Sequence, residues 1–186
     1  GMREPNGYVF DLAEDMVNQI EQEYGPEALG KEMAKSFDSE PDAKAAESFF
    51  EDFGRRWMER SIELGEQNQD RTYQVLKETA KEVPELQFPF ISQRYIEIAY
   101  LSTQPIYTVP IVENGTPGLV FKMVFCDYFK TIQDAQGEDF ANQLHCKSTC
   151  LAACDKAFEH FGHDVKIGMD TNMTDDGVCQ FNIRRA

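Results

Sequence analysis

Basic residues and long apolar runs are both scarce in this chain of 186 residues. It carries 18 Lys and Arg against 33 Asp and Glu, which gives a formal net charge of −15 at pH 7. A surface this acidic is unsuited to the phosphate contacts of nucleic-acid binding, and an anionic membrane is disfavoured for the same reason. No run of about 18 apolar residues occurs, so the sequence predicts no membrane-spanning helix. We therefore expect neither nucleic acid nor a membrane among its partners.

No basic region followed by an apolar run opens the given sequence, so we expect no secretion signal. The five cysteines are an odd number, in a chain longer than the small scaffolds that disulfides usually staple. We therefore expect reduced thiols and a cytoplasmic protein. Hydrophobic residues make up 41% of the sequence, which excludes a disordered composition. The length of 186 residues predicts a single domain over 1–186.

The sequence changes character near residue 85, which divides the domain into a helical half, 1–85, and a half of sheet plus helices, 86–186. The first half is rich in Glu, Lys, Ala and Gln, with helix breaks at Gly25-Pro26 and around 38–41. The helix after the second break carries apolar residues three or four positions apart, which predicts a buried face. Its members are Ala46, Phe49, Phe50, Phe53, Trp57 and Met58.

The second half is predicted to form a sheet, because β-branched and aromatic residues become frequent. Strands are predicted at 94–101, 118–126, 164–172 and 178–184, and helices at about 127–134 and 138–161. A turn over 174–177 would join the last two strands, with Gly177 supplying a positive φ. The predicted class is α+β: a helical N-terminal half packed on a mainly antiparallel sheet, a C-terminal Cys-bearing helix and a closing β-hairpin. An exposed sheet edge or an apolar helix face would allow a homodimer.

Three of the five cysteines fall within nine residues of the last predicted helix. Cys146, Cys150 and Cys154 are four apart, and each step of four advances about 40° around a helix, so the thiols form a slanted row. Lys147 projects close to the middle of the neighbouring apolar stripe, and Asp155 lies at the other edge of that stripe. The ammonium group is expected to lower the pKa of a nearby thiol and so to favour the reactive thiolate.

Three interpretations of this row stay open. The cysteines could pack as small, weakly polar residues against neighbouring elements. They could perform nucleophilic or electrostatic chemistry. They could bind a metal ion, with Cys126, Cys179 or a histidine completing the site, but the spacing matches no zinc-ribbon or ferredoxin pattern. We predict no metal and no other cofactor.

Three motifs follow one another in the second half: VFCDY at 124–128, CLAACD at 150–155 and DDGVCQF at 175–181. Together they resemble the L-2-amino-thiazoline-4-carboxylic acid hydrolase-like family. The resemblance implies that members of that family share four features with this chain. These are a helical first half, a strand ending in Cys, a helix with a Cys and a nearby Asp, and a closing hairpin with Gly and Cys-x-Phe. The hairpin also resembles, more weakly, that of the 4-vinyl-reductase domains, which look like small-molecule-binding modules.

The hydrolase resemblance implies cleavage of a C–N bond in a small cyclic amidine that carries a carboxylate, such as 2-amino-thiazoline-4-carboxylate. It implies that Asp155 acts as the base or holds the protonated amidine. Cys154 or Cys150 would attack the amidine carbon or line the pocket, and the sequence leaves open which of them occupies the family position.

The same resemblance implies a substrate-binding pocket that joins strand end, helix and hairpin. Lys147 or Arg94 would meet the substrate carboxylate, and Cys126 and Cys179 would complete the wall around Asp155. Two other functions remain as alternatives: a small-molecule-binding module without catalysis, and a thiol-based metal or redox protein.

Overall fold

The described part of the N-terminal half is helical, and strands begin only in the second half, as the sequence predicts for an α+β fold. The structure is a computed structural model that describes residues 14–67, 81, 93–106, 110–115 and 117–186. In chain order its elements are α1 (Glu14–Tyr24), α2 (Pro26–Ser36), α3 (Ala43–Gln67), α4 (Gln93–Thr103), β1 (Ile111–Gly115), β2 (Gly118–Met123), α5 (Asp127–Gln136), α6 (Glu138–Asn142), α7 (Lys147–Phe161), β3 (Val165–Thr171), α8 (Met173–Asp176) and β4 (Cys179–Arg185). Within these ranges, no helix combines the length and the apolar character needed to cross a membrane. The predicted change of character near residue 85 lies outside the described residues.

The four described strands form one antiparallel sheet in the order β1-β2-β4-β3. In its register, Met123 of β2 lies opposite Cys179 of β4, and Leu119 lies opposite Ile183. Because alternate residues of a strand share one face, Cys179 lies on the same face as the buried side chains of Phe181 and Ile183. The register therefore directs the Cys179 thiol toward the core.

The core joins the helices to this face of the sheet. Phe50 and Phe53 of α3, Phe158 of α7, and Phe181 and Ile183 of β4 belong to one continuous cluster of buried side chains. The apolar stripe predicted on α3 is confirmed over most of its length, because the residues at its three-to-four spacing are buried in this cluster.

Helices α3 and α7 approach each other closely at Gly54. A Cβ atom at this position would lie only 2.1 Å from the carbonyl oxygen of Thr149. The hydroxyl of Thr149 also donates a hydrogen bond of 2.8 Å to the carbonyl oxygen of Phe50. These contacts fix the first turns of α7, which carry two of the cysteines.

The strand predicted at 94–101 is wrong, because these residues form the helix α4. Tyr95, Ile98 and Leu101 are buried at three-residue spacing, so one helical face contacts the core. Arg94 and Glu97 form an ion pair one turn apart on the same helix. The frequent β-branched and aromatic residues suggested a strand, but burial of one helical face outweighs that propensity.

Two predicted boundaries differ from the structure. The strand predicted at 118–126 ends at Met123, and the helix predicted at 138–161 is divided into α6 and α7 by residues 143–146. Leu144 has a φ of 59°, which a helix cannot accommodate. The turn before β4 contains the short helix α8, and Gly177 ends it with the predicted positive φ, here 71°.

Candidate functional site

Sulfur atoms are concentrated around one cavity of about 30 Å³ between α7, α5 and the sheet. Four of the five cysteines contribute to its wall: Cys126, Cys146, Cys150 and Cys179. Three of the seven methionines do so as well: Met123, Met169 and Met173. Most of the remaining wall is aromatic or aliphatic, and we call this site the sulfur-lined cavity.

Cys126 reaches the cavity from the junction of β2 and α5. It is the N-cap of α5, where its sulfur accepts a hydrogen bond of 3.4 Å from the backbone N–H of Phe129. Burial raises the pKa of the Cys126 thiol to about 11, and this hydrogen bond offsets part of the increase. The thiol therefore stays protonated at neutral pH.

Cys179 reaches the cavity from the first position of β4. The αL conformation of Gly177 turns the chain from α8 into β4 and sets the register that opposes Cys179 to Met123. Burial raises the pKa of the Cys179 thiol, and a hydrogen bond from the backbone N–H of Met173 acts in the opposite direction. Strand register therefore brings the Cys179 thiol to the cavity wall.

Cys146 and Cys150 reach the cavity from α7. Cys146 immediately precedes the helix and Cys150 follows one turn later. Burial raises the pKa of Cys150 well above its ordinary value, and the neighbouring thiols Cys126, Cys146, Cys154 and Cys179 add to the increase. A thiolate here would be both poorly solvated and close to other sulfurs, so neither thiol is an activated nucleophile.

Lys147 is the only charged residue among those described around the cavity. Its side chain is exposed, so the ammonium group lies at the mouth of the cavity in water. The expected lowering of a thiol pKa is not found, because burial raises the pKa of all five cysteines. In addition, no carboxylate or imidazole group lines the described wall. The cavity therefore has no group suited to act as a general base at neutral pH.

Asp155 lies away from the sulfur-lined cavity. It is exposed beside α3. Partial burial raises the pKa of its carboxyl group, which Arg55 lowers and Glu51 raises by smaller amounts. The expected convergence of Asp155 with Cys126 and Cys179 is not found. Asp155 follows five residues after Cys150, a rotation of about 140° around the helix, so it faces away from the cavity that Cys150 lines.

Cys154 and Arg94 also contact other parts of the molecule. The Cys154 sulfur lies 3.9 Å from the Tyr95 hydroxyl, which donates to it, and burial raises the pKa of Cys154 to about 12. Arg94 binds the carboxylates of Glu97 and Glu66 and the carbonyl oxygen of Gly65. Neither residue lines the cavity, whereas Cys126, Cys150, Cys179 and Lys147 do.

Sequence reasoning missed the three methionines and assigned Cys146 to the cysteine row without a catalytic or substrate-binding role. The pairing of Met123 with Cys179 depends on strand register, which becomes visible only once both strand boundaries are known. Met169 and Met173 flank the end of β3, and their spacing carries no signal of a shared site. The row of cysteines on one helix was the feature of the sequence that pointed to this cavity.

Metal binding by a cluster of three or more thiolate, imidazole or carboxylate ligands finds no support in the described part of the chain. No group of three or more His, Cys, Asp or Glu side chains there is arranged to hold a metal ion. All five cysteines are free thiols. Fold and site together define an α+β protein with a buried, sulfur-lined cavity.

Comparison with known proteins adds no family. The chain matches no protein-family model, no curated protein and no solved structure.

Proposed function

We propose that this protein is a small-molecule-binding module without catalysis and that its ligand occupies the sulfur-lined cavity. The observation that carries the proposal is the composition of the wall, which combines thiols, thioethers and aromatic rings with one ammonium group at the mouth. Ligand sites are typically apolar concavities with few polar groups, which set the orientation of the ligand. The described wall of the sulfur-lined cavity is likewise mostly apolar and includes one charged side chain.

The size and wall of the cavity narrow the class of ligand. A volume of about 30 Å³ holds about two water molecules, so an organic ligand has to displace side chains to enter. Methionine side chains adapt easily, and Met169 and Met173 are only half-buried. We infer a ligand with a small apolar body and an anionic group that pairs with Lys147.

Two short segments at the mouth are suited to move. Leu144, in the turn between α6 and α7, has a positive φ that is unfavourable for a residue with a side chain. Across the mouth, α8 is held to α6 by a long contact of 3.4 Å between the Thr174 hydroxyl and the Asn142 carbonyl oxygen. We infer that the ligand enters between this turn and α8.

Calorimetric titration with benzoate and with neutral benzyl alcohol tests this proposal. Both should bind, and Lys147→Gln should weaken benzoate about fivefold without affecting benzyl alcohol, because an exposed ion pair contributes about 1 kcal/mol. Lys156→Gln is the matched control, since Lys156 lies on the same helix and pairs with Glu59 of α3. Failure of both ligands to bind, or equal effects of the two substitutions, would contradict the proposal.

Hydrolysis of a cyclic amidine is the second candidate. What supports it is that Cys126, Cys150, Cys179 and Lys147, four residues that the family resemblance implicates, line one cavity. Asp155 does not line it, so a hydrolase here would need another base. Incubation with 2-amino-thiazoline-4-carboxylate, followed by mass spectrometry, would reveal a product one water heavier. If Cys150→Ser abolished that product while Asp155→Asn retained it, the reaction would belong to this cavity.

A cytoplasmic location is part of the proposal. Five free thiols in one chain agree with a reducing compartment. Fractionation of cells that produce the protein would test it, and recovery from an oxidising compartment would contradict it.

A further inference from the structure

We propose that Cys126 and Cys179 form a binding site for a soft monovalent metal ion, Cu(I), with the thioether of Met123 beside them. This inference does not depend on the organic ligand, because it concerns the part of the wall where β2 and β4 meet. It assigns a second binding chemistry to residues whose thiols the proposed small-molecule function uses only as an apolar lining.

Strand register brings the three sulfurs together. Met123 and Cys179 are directly opposite in the antiparallel pair of β2 and β4, where Cα atoms lie about 5 Å apart. Cys126 follows three residues after Met123, at the start of α5, and borders the same cavity. The three side chains therefore come from one corner of the fold, although Cys126 and Cys179 are 53 residues apart in sequence.

One of the two thiols also has a hydrogen-bond donor directed at its sulfur. The sulfur of Cys126 accepts the backbone N–H of Phe129 at 3.4 Å. An N–H group directed at sulfur stabilises its negative charge and tunes the thiolate as a ligand. Cys126 therefore has a donor in place for a thiolate, and strand register places Cys179 and Met123 beside it.

The donor set selects a soft ion of low coordination number. Thiolate and thioether ligands favour Cu(I), whereas Mg²⁺ and Ca²⁺ need oxygen ligands. A structural zinc site would need four thiolate or imidazole ligands, and no group of three His, Cys, Asp or Glu side chains is so arranged among the described residues. Two thiolates and one thioether are enough for Cu(I).

The charges also agree with a monovalent ion. Binding exchanges two thiol protons for the ion: Cu⁺ and two Cys–SH give a dithiolate complex of charge −1 and two protons, which pass to the solvent. No oxidation state changes. The ammonium group of Lys147 at the mouth offsets the remaining negative charge, and the net charge of −15 attracts cations to the protein.

Anaerobic titration of the full, reduced chain with Cu(I) tests the inference, using bathocuproine disulfonate as a competing chelator. We expect one ion per chain, with only sulfur ligands in the copper X-ray absorption spectrum. Cys126→Ser and Cys179→Ser should each weaken binding at least about 100-fold, since even a group that only supports a metal ligand can contribute that much. Serine is itself a favourable N-cap, so Cys126→Ser should keep its fold.

Cys154→Ser is the matched control, because Cys154 lies on α7 but contacts Tyr95 outside the cavity. It should bind Cu(I) like the unmodified protein. The inference would be overturned if no Cu(I) were retained, if Cys154→Ser lost as much affinity as the other two variants, or if Zn²⁺ displaced Cu(I). Benzoate binding, measured separately on Cys126→Ser and Cys179→Ser, distinguishes a failure of this site from a failure of the whole cavity to bind ligands.

Discussion

Two faces of α7 carry side chains of opposite character. One face presents Cys150, together with Cys146 just before the helix, to a cavity with a sulfur and aromatic wall. Burial raises the pKa of both thiols. The other face carries charged groups toward α3, where Glu159 lies 3.9 Å from Arg55 and Lys156 pairs with a second carboxylate. The thiols of Cys146 and Cys150 are therefore separated in space from the carboxylates that follow later in the same helix.

This separation leaves the described wall of the cavity without a carboxylate. A catalytic thiol needs a neighbouring base or cation that stabilises its thiolate. The carboxylate that follows Cys154 in sequence faces the ionic side of the helix instead. The cavity keeps neutral thiols, which suit an apolar or soft ligand.

The largest loss of stability is expected when a charge is placed on the face of α7 that lines the cavity. Part of the Cys150 surface stays accessible because it borders the cavity, yet the thiol is surrounded by protein. We expect Cys150→Asp to lower the free energy of unfolding by about 3–5 kcal/mol, because an unpaired carboxylate would be buried. Urea denaturation measures this loss, and a variant as stable as the parent would show that the cavity is hydrated.

A smaller loss is expected when the contact that fixes α7 is disturbed. Gly54→Ala places a methyl group against the backbone of Thr149. We expect it to lower the free energy of unfolding by about 1–3 kcal/mol. Gly30→Ala is the control, since its Cβ would meet only the end of the Thr131 side chain, at 3.3 Å. Thermal unfolding should separate the two variants, and equal stabilities would mean that α3 and α7 can move apart easily.

The stability of the protein should depend on pH because burial raises the pKa of the cavity thiols. The pKa of Cys126 is about 11 in the folded protein against an ordinary value of 9.0, so the folded state holds its proton at a pH where the unfolded state has lost it. The stability contribution is complete below pH 9 and declines as the pH rises toward 11. We expect Cys126→Ser to flatten the loss of stability over this interval, measured by urea unfolding at several pH values. An unchanged profile would contradict burial as the cause of the raised pKa.

The smallest change in stability is expected from a substitution on the charged face of α7. Asp155→Asn should change the free energy of unfolding by less than about 0.5 kcal/mol, because exposed charges contribute little. It should also leave benzoate binding unchanged in the calorimetric titration. A loss of binding would connect the two faces of α7 and would restore Asp155 to the site.

Some of this organisation could be predicted from sequence because it depends on local periodicity. The apolar stripe of α3, the closing strands and the positive φ of Gly177 all have local signals, and together they give the α+β class. The helix at 93–103 was missed because its residue types favour strands, whereas its burial at three-residue spacing favours a helix. The positive φ of Leu144 has no sequence signal, since the side chain itself disfavours it.

The candidate site was only half predictable, for a geometric reason. The sequence indicated that Cys150 and Lys147 lie near one another and that Cys126 and Cys179 could join them, and all four line one cavity. The direction of Asp155 depends on how α7 is rotated against α3, which the close contact at Gly54 determines. No motif encodes that rotation, because it results from packing between distant segments.

Methyl NMR of protein labelled with ¹³C in its methionine methyl groups tests the central claim most directly. If the sulfur-lined cavity binds small ligands, benzoate should shift the signals of Met123, Met169 and Met173, while the buried Met33 and Met58 outside the cavity should not respond. Saturable shifts confined to the three cavity methionines are the predicted result. An absence of shifts, or equal shifts at Met33 and Met58, would contradict a ligand site in this cavity.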